Sequence, residues 1–233
     1  MMSYPAKGFT LVEMAVVIVV IGLLISGMLL PISAQMDMEG FRTTNNMLQE
    51  IKEALLGYVV INGRLPCPAS DTSNGIEDPV GGGACTHPYD GYLPAVTLGI
   101  TPTDSSGYAV DGWSNNPSNR IRYAVTTANT NAFTTAINSL TLSPDLHVCA
   151  SGTGITATAC DASTATLTAT AVAVIFSSGK NAGTGGTSTD EAPNQDSNIT
   201  FVSHDASADF DDQMTWISYP ILVNRLVAAG KLP

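Results

Sequence analysis

Three histidines (His87, His147, His204), four cysteines (Cys67, Cys85, Cys149, Cys160) and two acidic clusters are the side chains of this 233-residue chain that could do chemistry. Catalysis of the Ser-His-Asp kind needs three groups brought together, and neither a nucleophile elbow nor an HExxH run accompanies these histidines. His147 and Cys149 are two residues apart, so on a strand they share a face and could form a thiolate–imidazole pair; a disulfide from Cys149 competes with that use. The expectation is that the chain is not an enzyme. No two cysteines form the CxxC pair of a zinc or redox-dithiol site, and their even number reads as a disulfide framework. Of the three possible pairings, the nearest-neighbour one (Cys67 with Cys85, Cys149 with Cys160) closes two modest loops, each worth about 2–4 kcal/mol where the compartment is oxidising. Asp190, Glu191 and Asp196 crowd a Gly-rich loop, and Asp205, Asp209, Asp211 and Asp212 crowd a second stretch. Clustered carboxylates repel one another unless solvated or bound to a cation, and calcium takes six to eight oxygens from flexible loops of this kind. Calcium is therefore the one cofactor considered, with Asp190, Glu191 and Asp196 as its candidate ligands and a solvated acidic surface as the alternative.

A further kind of site is a single carboxylate in the wrong solvent. The run Phe9 to Leu30 (FTLVEMAVVIVVIGLLISGMLL) carries one charge, Glu13; as a helix it is about 33 Å long, enough to cross a bilayer. A charge in mid-bilayer costs about 2.5–3.5 kcal/mol on insertion scales, so Glu13 needs a partner. Only MMSYPAKG precedes the run, with Lys7 as the positive flank that keeps this end in the cytoplasm and puts the rest of the chain outside. A secretory signal would be cut after the apolar run, but Ile32-Ser33-Ala34 begins poorly for a small-x-small site. A cut between Gly8 and Phe9 would instead create an α-amine four residues from Glu13, and that amine, or a neighbour's, would neutralise the acid.

Composition limits what the remainder can do. With 44% hydrophobic residues the chain can supply one membrane segment and one domain with a core. Nine Lys and Arg against 20 Asp and Glu give a net charge of -11. Phosphate backbones are bound by clustered cations, so nucleic acid is not an expected partner.

The elements follow from periodicity. Phe41, Leu48, Ile51, Leu55, Tyr58 and Val59 fall on one helical face, and Asn62-Gly63 followed by Pro66 and Pro68 ends that helix. Residues 66–117 are rich in Gly, Pro, Asn and Asp and read as loops and turns. Arg120 to Thr126, Leu146 to Ala150, Thr166 to Phe176 and Ile199 to Val202 read as strands, and Tyr219 to Ala229 as a final helix with Ser218 at its N-cap. The fold class is α+β: a long N-terminal transmembrane and amphipathic helix packed on an antiparallel sheet, with loop insertions and a C-terminal helix. The domain organisation expected is 1–8 leader, 9–30 membrane helix, 31–63 amphipathic helix and 64–233 extracytoplasmic head.

Gly8-Phe9-Thr10-Leu11-Val12-Glu13-Met14 followed by an apolar helix resembles the prepilin processing motif of type IV pilins, type II secretion pseudopilins and competence pseudopilins. The resemblance implies that a prepilin peptidase cuts after Gly8 and methylates the amine of Phe9, and that Glu13 meets the Phe9 amine of an adjacent subunit during assembly. Gly22 falls where these families have a helix-weakening glycine. Their usual proline falls one residue earlier, at Leu30, and here it is Pro31, which shifts the expected kink. Asp111-Gly112-Trp113-Ser114-Asn115 leading to Ile121-Arg122-Tyr123 is similar to the DPWG-then-tyrosine segment of major pseudopilins. Phe176-Ser177-Ser178-Gly179-Lys180-Asn181 resembles their SLGADG turn, after which those proteins bind calcium. The insertions at 66–110 and 127–165 exceed that family's compact head and fit a minor subunit. The reading expected is a structural subunit of a pilus or secretion pseudopilus, with a tip-located adhesin or cargo-binding pseudopilin as the alternative. Its implied partners are other pilin subunits, the peptidase, an inner-membrane assembly platform and the membrane. Its implied location is the bacterial inner membrane, single-pass with a periplasmic head, and then the filament.

Overall fold

The computed structural model describes residues 8–113, 117–183 and 186–232, and in its first helix the side chains of residues 27–34 lie outside the described set. So do the first seven residues of the expected leader, and Ser114 and Asn115 of the tryptophan segment. The elements in chain order are α1 (Leu11–Asn62), β1 (Gly91–Tyr92), α2 (Ala95–Leu98), β2 (Arg122–Val125), α3 (Ala128–Thr135), β3 (Leu146–Cys149), β4 (Thr166–Ser177), β5 (Thr200–Val202), β6 (Gln213–Ser218) and α4 (Tyr219–Ala228). The class is α+β.

The chain divides into two compact units between Glu39 and Gly40. In the first, residues 8–26 are exposed on every side, and the helical assignment continues without a break through Pro31. Among the described residues no helix is long and apolar enough to cross a membrane; the side chains of residues 27–30, which complete the apolar run, are outside that set. In the second unit, the α1 face read from the sequence is the core: Leu48, Ile51, Leu55 and Val59 are buried against Tyr123, Val125, Val172, Ile175 and Ile217 of the sheet and Leu222 and Leu226 of α4. Gly63, at φ +69°, adopts the left-handed conformation that ends α1. Ser218 precedes α4 with extended backbone, and proline occupies the first turn.

Strand β4 organises the sheet. Val174 pairs with Ala124 of β2 and with Trp216 of β6, which therefore flank it on opposite sides. The N-terminal half of β4 pairs with β3 from Thr166 to Ala171. Pairing with β6 begins at Ala171, so among the described residues Thr166–Thr170 have β3 alone as a strand neighbour. The sheet is not wholly antiparallel as expected, because β5 pairs with β3 in parallel. The reason is where β4 ends. Leu146, at the start of β3, pairs with Ala171, so β4 runs past the edge from which β3 begins; a chain returning from that edge along the far side of β3 must follow β3's direction. The face away from α1 carries a second cluster of Ala124, Leu146, Val148, Val174, Phe176 and Phe201.

The loop-rich segment after α1 is ordered by polar groups as much as by apolar ones. Cys67–Cys85 closes it, with Cα atoms 5.3 Å apart, and Cys149–Cys160 joins the end of β3 to the loop before β4, with Cα atoms 5.5 Å apart. Glu77 is buried and takes two hydrogen bonds of 2.8 Å from Arg64, with further N–H donors at Cys67 and Gly81. Burial pushes its pKa up, but Arg64 and the N–H donors more than offset that and hold it below the usual carboxylate range. The two segments similar to pseudopilins meet: Asp111 Oδ2 accepts from Ser177 Oγ at 2.6 Å and Asn119 Nδ2 at 3.0 Å, and Asn119 also donates to the Gly179 carbonyl at 2.9 Å. Leu55→Ala, at a position with no exposure, should lower the unfolding free energy in urea by about 2–5 kcal/mol. Ile61→Ala, on the same helix but 78% exposed, should change it by less than about 0.5 kcal/mol.

Candidate functional site

Two places hold the residues singled out by the sequence. The first is the N-terminal junction. Gly8, Phe9 and Thr10 precede α1 without regular structure, and Phe9 is 84% exposed. A Cβ on Gly8 would meet nothing within 4 Å. Among the described residues, no packing contact therefore requires glycine there.

Glu13 has a local partner that the sequence reading missed. Its Oε2 accepts from the Thr10 N–H and the Thr10 hydroxyl, both at 2.9 Å, while the Glu13 N–H donates to Thr10 Oγ1 at 3.2 Å. This reciprocal pair is a capping box, and the signal was the spacing Thr-x-x-Glu ahead of an apolar run. In the uncut chain Phe9 N is a peptide nitrogen, so the amine expected to neutralise Glu13 does not yet exist. Donors at the helix start satisfy the carboxylate instead.

The second place is at the end of β4. The calcium ligand set expected from the sequence, Asp190 with Glu191 and Asp196, is not assembled. Asp190 faces the loop after β3, where its Oδ1 accepts from Ser151 Oγ at 2.9 Å, and its Oδ2 lies 3.2 Å from His204 Nε2. Burial pushes the Asp190 pKa up, but the Gly152 N–H, the Ser151 hydroxyl and His204 bring it below the usual value. Asp196 follows the 3-10 turn Ala192–Gln195 and is exposed, with Asn198 as its contact at 3.4 Å. Adjacent residues diverge here: Glu191 turns the other way and meets Asp211 and Asp212, with one ligand atom from each of the three within 4.8 Å of the others.

Two of that trio are buried and Asp211 is half-buried, and among the described residues they are incompletely satisfied. Glu191 is 2% exposed and its Oε1 accepts from Asn181 Nδ2 at 2.9 Å and the Asp211 N–H at 3.1 Å. Asp212, 5% exposed, takes one bond of 2.8 Å from Asn194 Nδ2. Asp211 Oδ2 accepts from the Asn181 N–H at 3.1 Å, whereas among the described residues its Oδ1 is buried without a hydrogen-bond partner. Backbone approaches closely on two sides: a Cβ at Gly179 would fall 2.3 Å from that Oδ1, and one at Gly186 would fall 2.4 Å from Glu191 Oε2. Burial raises the pKa of both aspartates, and neighbouring carboxylates add to it. Asp212 reaches about 7 despite the Asn194 donor, and Asp211 rises less because N–H donors oppose the shift. An all-oxygen, carboxylate-rich set with an orphaned oxygen suits a hard cation such as calcium.

The other candidates resolve simply. Cys149 is in a disulfide, so it forms no thiolate pair with His147, and among the described residues no cysteine is free. His87 Nδ1 lies 3.3 Å from Asp90 Oδ1 on the surface. Asp205 and Asp209 are exposed.

Residues 5–29 match the family described as the prokaryotic N-terminal methylation motif. This is the prepilin-type signature of type IV pilins and pseudopilins. No curated protein and no solved structure matches the chain.

The trio makes a signed pH prediction. Asp212 binds a proton more tightly folded than unfolded, so its contribution is fully present below the unfolded pKa near 4 and is lost as pH rises through about 7. In chelator, the unfolding free energy should fall between pH 4 and 7 by up to about 1.4 kcal/mol per pH unit from this group. Asp212→Asn should flatten that slope in urea titrations across the range.

Proposed function

We propose that the chain is a structural subunit, of the minor kind, of a type IV pilus or a type II secretion pseudopilus. The observation that carries the proposal is the methylation-motif match at residues 5–29, on an exposed junction whose glycine has no packing contact among the described residues. A prepilin peptidase cuts between Gly8 and Phe9 and methylates the new amine. The precursor sits in the inner membrane, single-pass through the run Phe9–Leu30, with its head in the periplasm, and Lys7 on the cytoplasmic side supports that orientation. An assembly platform then moves the subunit into a filament, where the apolar helix surface, exposed along residues 11–26, packs on neighbouring subunits' helices. Glu13 exchanges its Thr10 donors for the Phe9 amine of an adjacent subunit. Both disulfides fit the oxidising compartment of the head.

Calcium at Glu191, Asp211 and Asp212 is the second part of the proposal, supported by the orphaned Oδ1 of Asp211. These carboxylates hold the ion, and the ion removes the repulsion that raises the aspartate pKa values. The role is structural: it fixes the end of β4 to the start of β6.

Gly8→Glu should leave full-length precursor in the membrane fraction, and mass spectrometry finding a chain that begins at Phe9 in this variant would refute the processing assignment. Glu13→Val should insert as well as the parent, since it removes a costly charge, yet fall sharply in sheared filaments relative to the membrane fraction. Millimolar calcium should raise the melting temperature, with stabilisation of about 2.7 kcal/mol at a hundred times its dissociation constant. Equimolar magnesium should do less, and Asp211→Ala should abolish the response.

A further inference from the structure

Asn198 is the one asparagine in the sequence with Ser or Thr two positions on and no proline between, in Asp196-Ser197-Asn198-Ile199-Thr200. Asn-x-Ser/Thr is the acceptor for N-linked glycans on the surface loops of exported proteins. Bacterial acceptors add an acidic residue two positions before the asparagine, and here that residue is Asp196. A motif this short recurs by chance, so its place in the fold decides whether it can be used.

The segment is the surface bend between the 3-10 turn Ala192–Gln195 and β5, with Asp196 and Ser197 exposed and Asn198 and Ile199 half-exposed. The two ends of the Asn198 amide are held differently. Oδ1 accepts from the Thr200 N–H at 2.9 Å and lies 2.8 Å from the Thr200 hydroxyl, so an Asx-turn joins the asparagine to the hydroxyl of its own motif. Among the described residues Nδ2 has one long contact, 3.4 Å to Oδ2 of the exposed Asp196. A group attached to Nδ2 would extend into water and leave both Oδ1 contacts in place. Thr200 itself is fully buried, and its hydroxyl also lies 2.8 Å from the Thr156 carbonyl. A transferase that reads this hydroxyl must therefore act before β5 closes onto β3. β5 is three residues long and has β3 alone as a strand neighbour among the described residues, so few main-chain bonds hold the acceptor out of reach.

We propose that Asn198 is an N-glycosylation site, modified before β5 is in place and carrying its glycan on the surface of the folded head. The sugar donor is an oligosaccharide linked to a polyprenyl diphosphate. The bond from Asn198 Nδ2 to the sugar C1 forms, and the bond from C1 to the diphosphate oxygen breaks. The lipid diphosphate leaves with the electron pair, and the Nδ2 proton passes to a carboxylate of the transferase. The proposal rests on the periplasmic placement of the head proposed above.

The test is expression of the full chain in a bacterial host that carries an oligosaccharyltransferase of the acidic-acceptor type and a lipid-linked oligosaccharide of known mass, with a known acceptor protein alongside. Mass spectrometry of proteolytic peptides should find the glycan on Asn198. Asn198→Gln should abolish it, Asp196→Ala should lower occupancy severalfold, and Thr200→Ser, which keeps the hydroxyl, should still be modified. The purified, folded chain given the same transferase and donor in micelles should stay unmodified. Thiol alkylation before reduction shows whether the head has reached the oxidising compartment. Oxidised chains with bare Asn198, beside a modified control acceptor, would overturn the proposal and leave the filament reading standing. Free thiols would overturn the periplasmic placement and the proposal with it. Occupancy unchanged by Asp196→Ala, or equal modification of the folded chain, would overturn the part given to the acid or the order of events.

Discussion

The head depends on β4, which from Ala171 onward is paired along both edges. Its twelve residues supply apolar side chains to both faces of the sheet: Val172 and Ile175 toward α1 and α4, Val174 and Phe176 toward the opposite cluster. Every other strand but β1 and β5 pairs with it directly. Its C-terminal end also delivers Ser177 to Asp111 and Gly179 to Asp211, so the same strand that builds the core positions the carboxylates. A change that slips β4 by one residue would turn the two apolar sets onto the wrong faces at once.

The carboxylates divide by how completely they are satisfied. Glu77 is buried with donors on both oxygens, and Asp111 accepts from Trp113 N–H, Asn119 and Ser177. Each is therefore a fixed joint between loops. Among the described residues, Asp211 Oδ1 is left without a donor, and the mutual repulsion of Glu191, Asp211 and Asp212 is the energy a cation would relieve. On a chain this acidic, burying such a trio without a counter-charge works against folding, whereas Glu77 and Asp111 work for it.

Much of this was legible in the sequence where the physics is local. The face of α1 through Leu48, Ile51, Leu55 and Val59, the glycine stop at Gly63, the long apolar strand and the capped final helix all follow from spacing and turn chemistry within a few residues. Strand β6 was not read because Gln213–Ser218 mixes half-buried Met214 and Trp216 with buried Thr215 and Ile217, which blurs alternation. The parallel pairing of β5 is set by where β4 ends, a fact of tertiary path and not of local pattern. The acidic site was half legible: both clusters stand out in composition, but that Glu191 joins Asp211 and Asp212 while its neighbour Asp190 turns to Ser151 depends on contacts between residues about 20 and 40 positions apart. The Thr10–Glu13 box was there to be read, and the apolar run around it drew attention to charge cost instead.

The N-terminal half of β4 has one strand neighbour, β3, and on its other edge Thr166–Thr170 run past the end of β6. Five exposed or half-exposed residues, three of them β-branched threonines, are the kind of open edge to which another strand can add. Thr168 Oγ1 accepts the Thr170 N–H at 3.2 Å, so a main-chain donor in this stretch is consumed by the strand's own side chain. That N–H is thereby withheld from any strand that would add to this stretch.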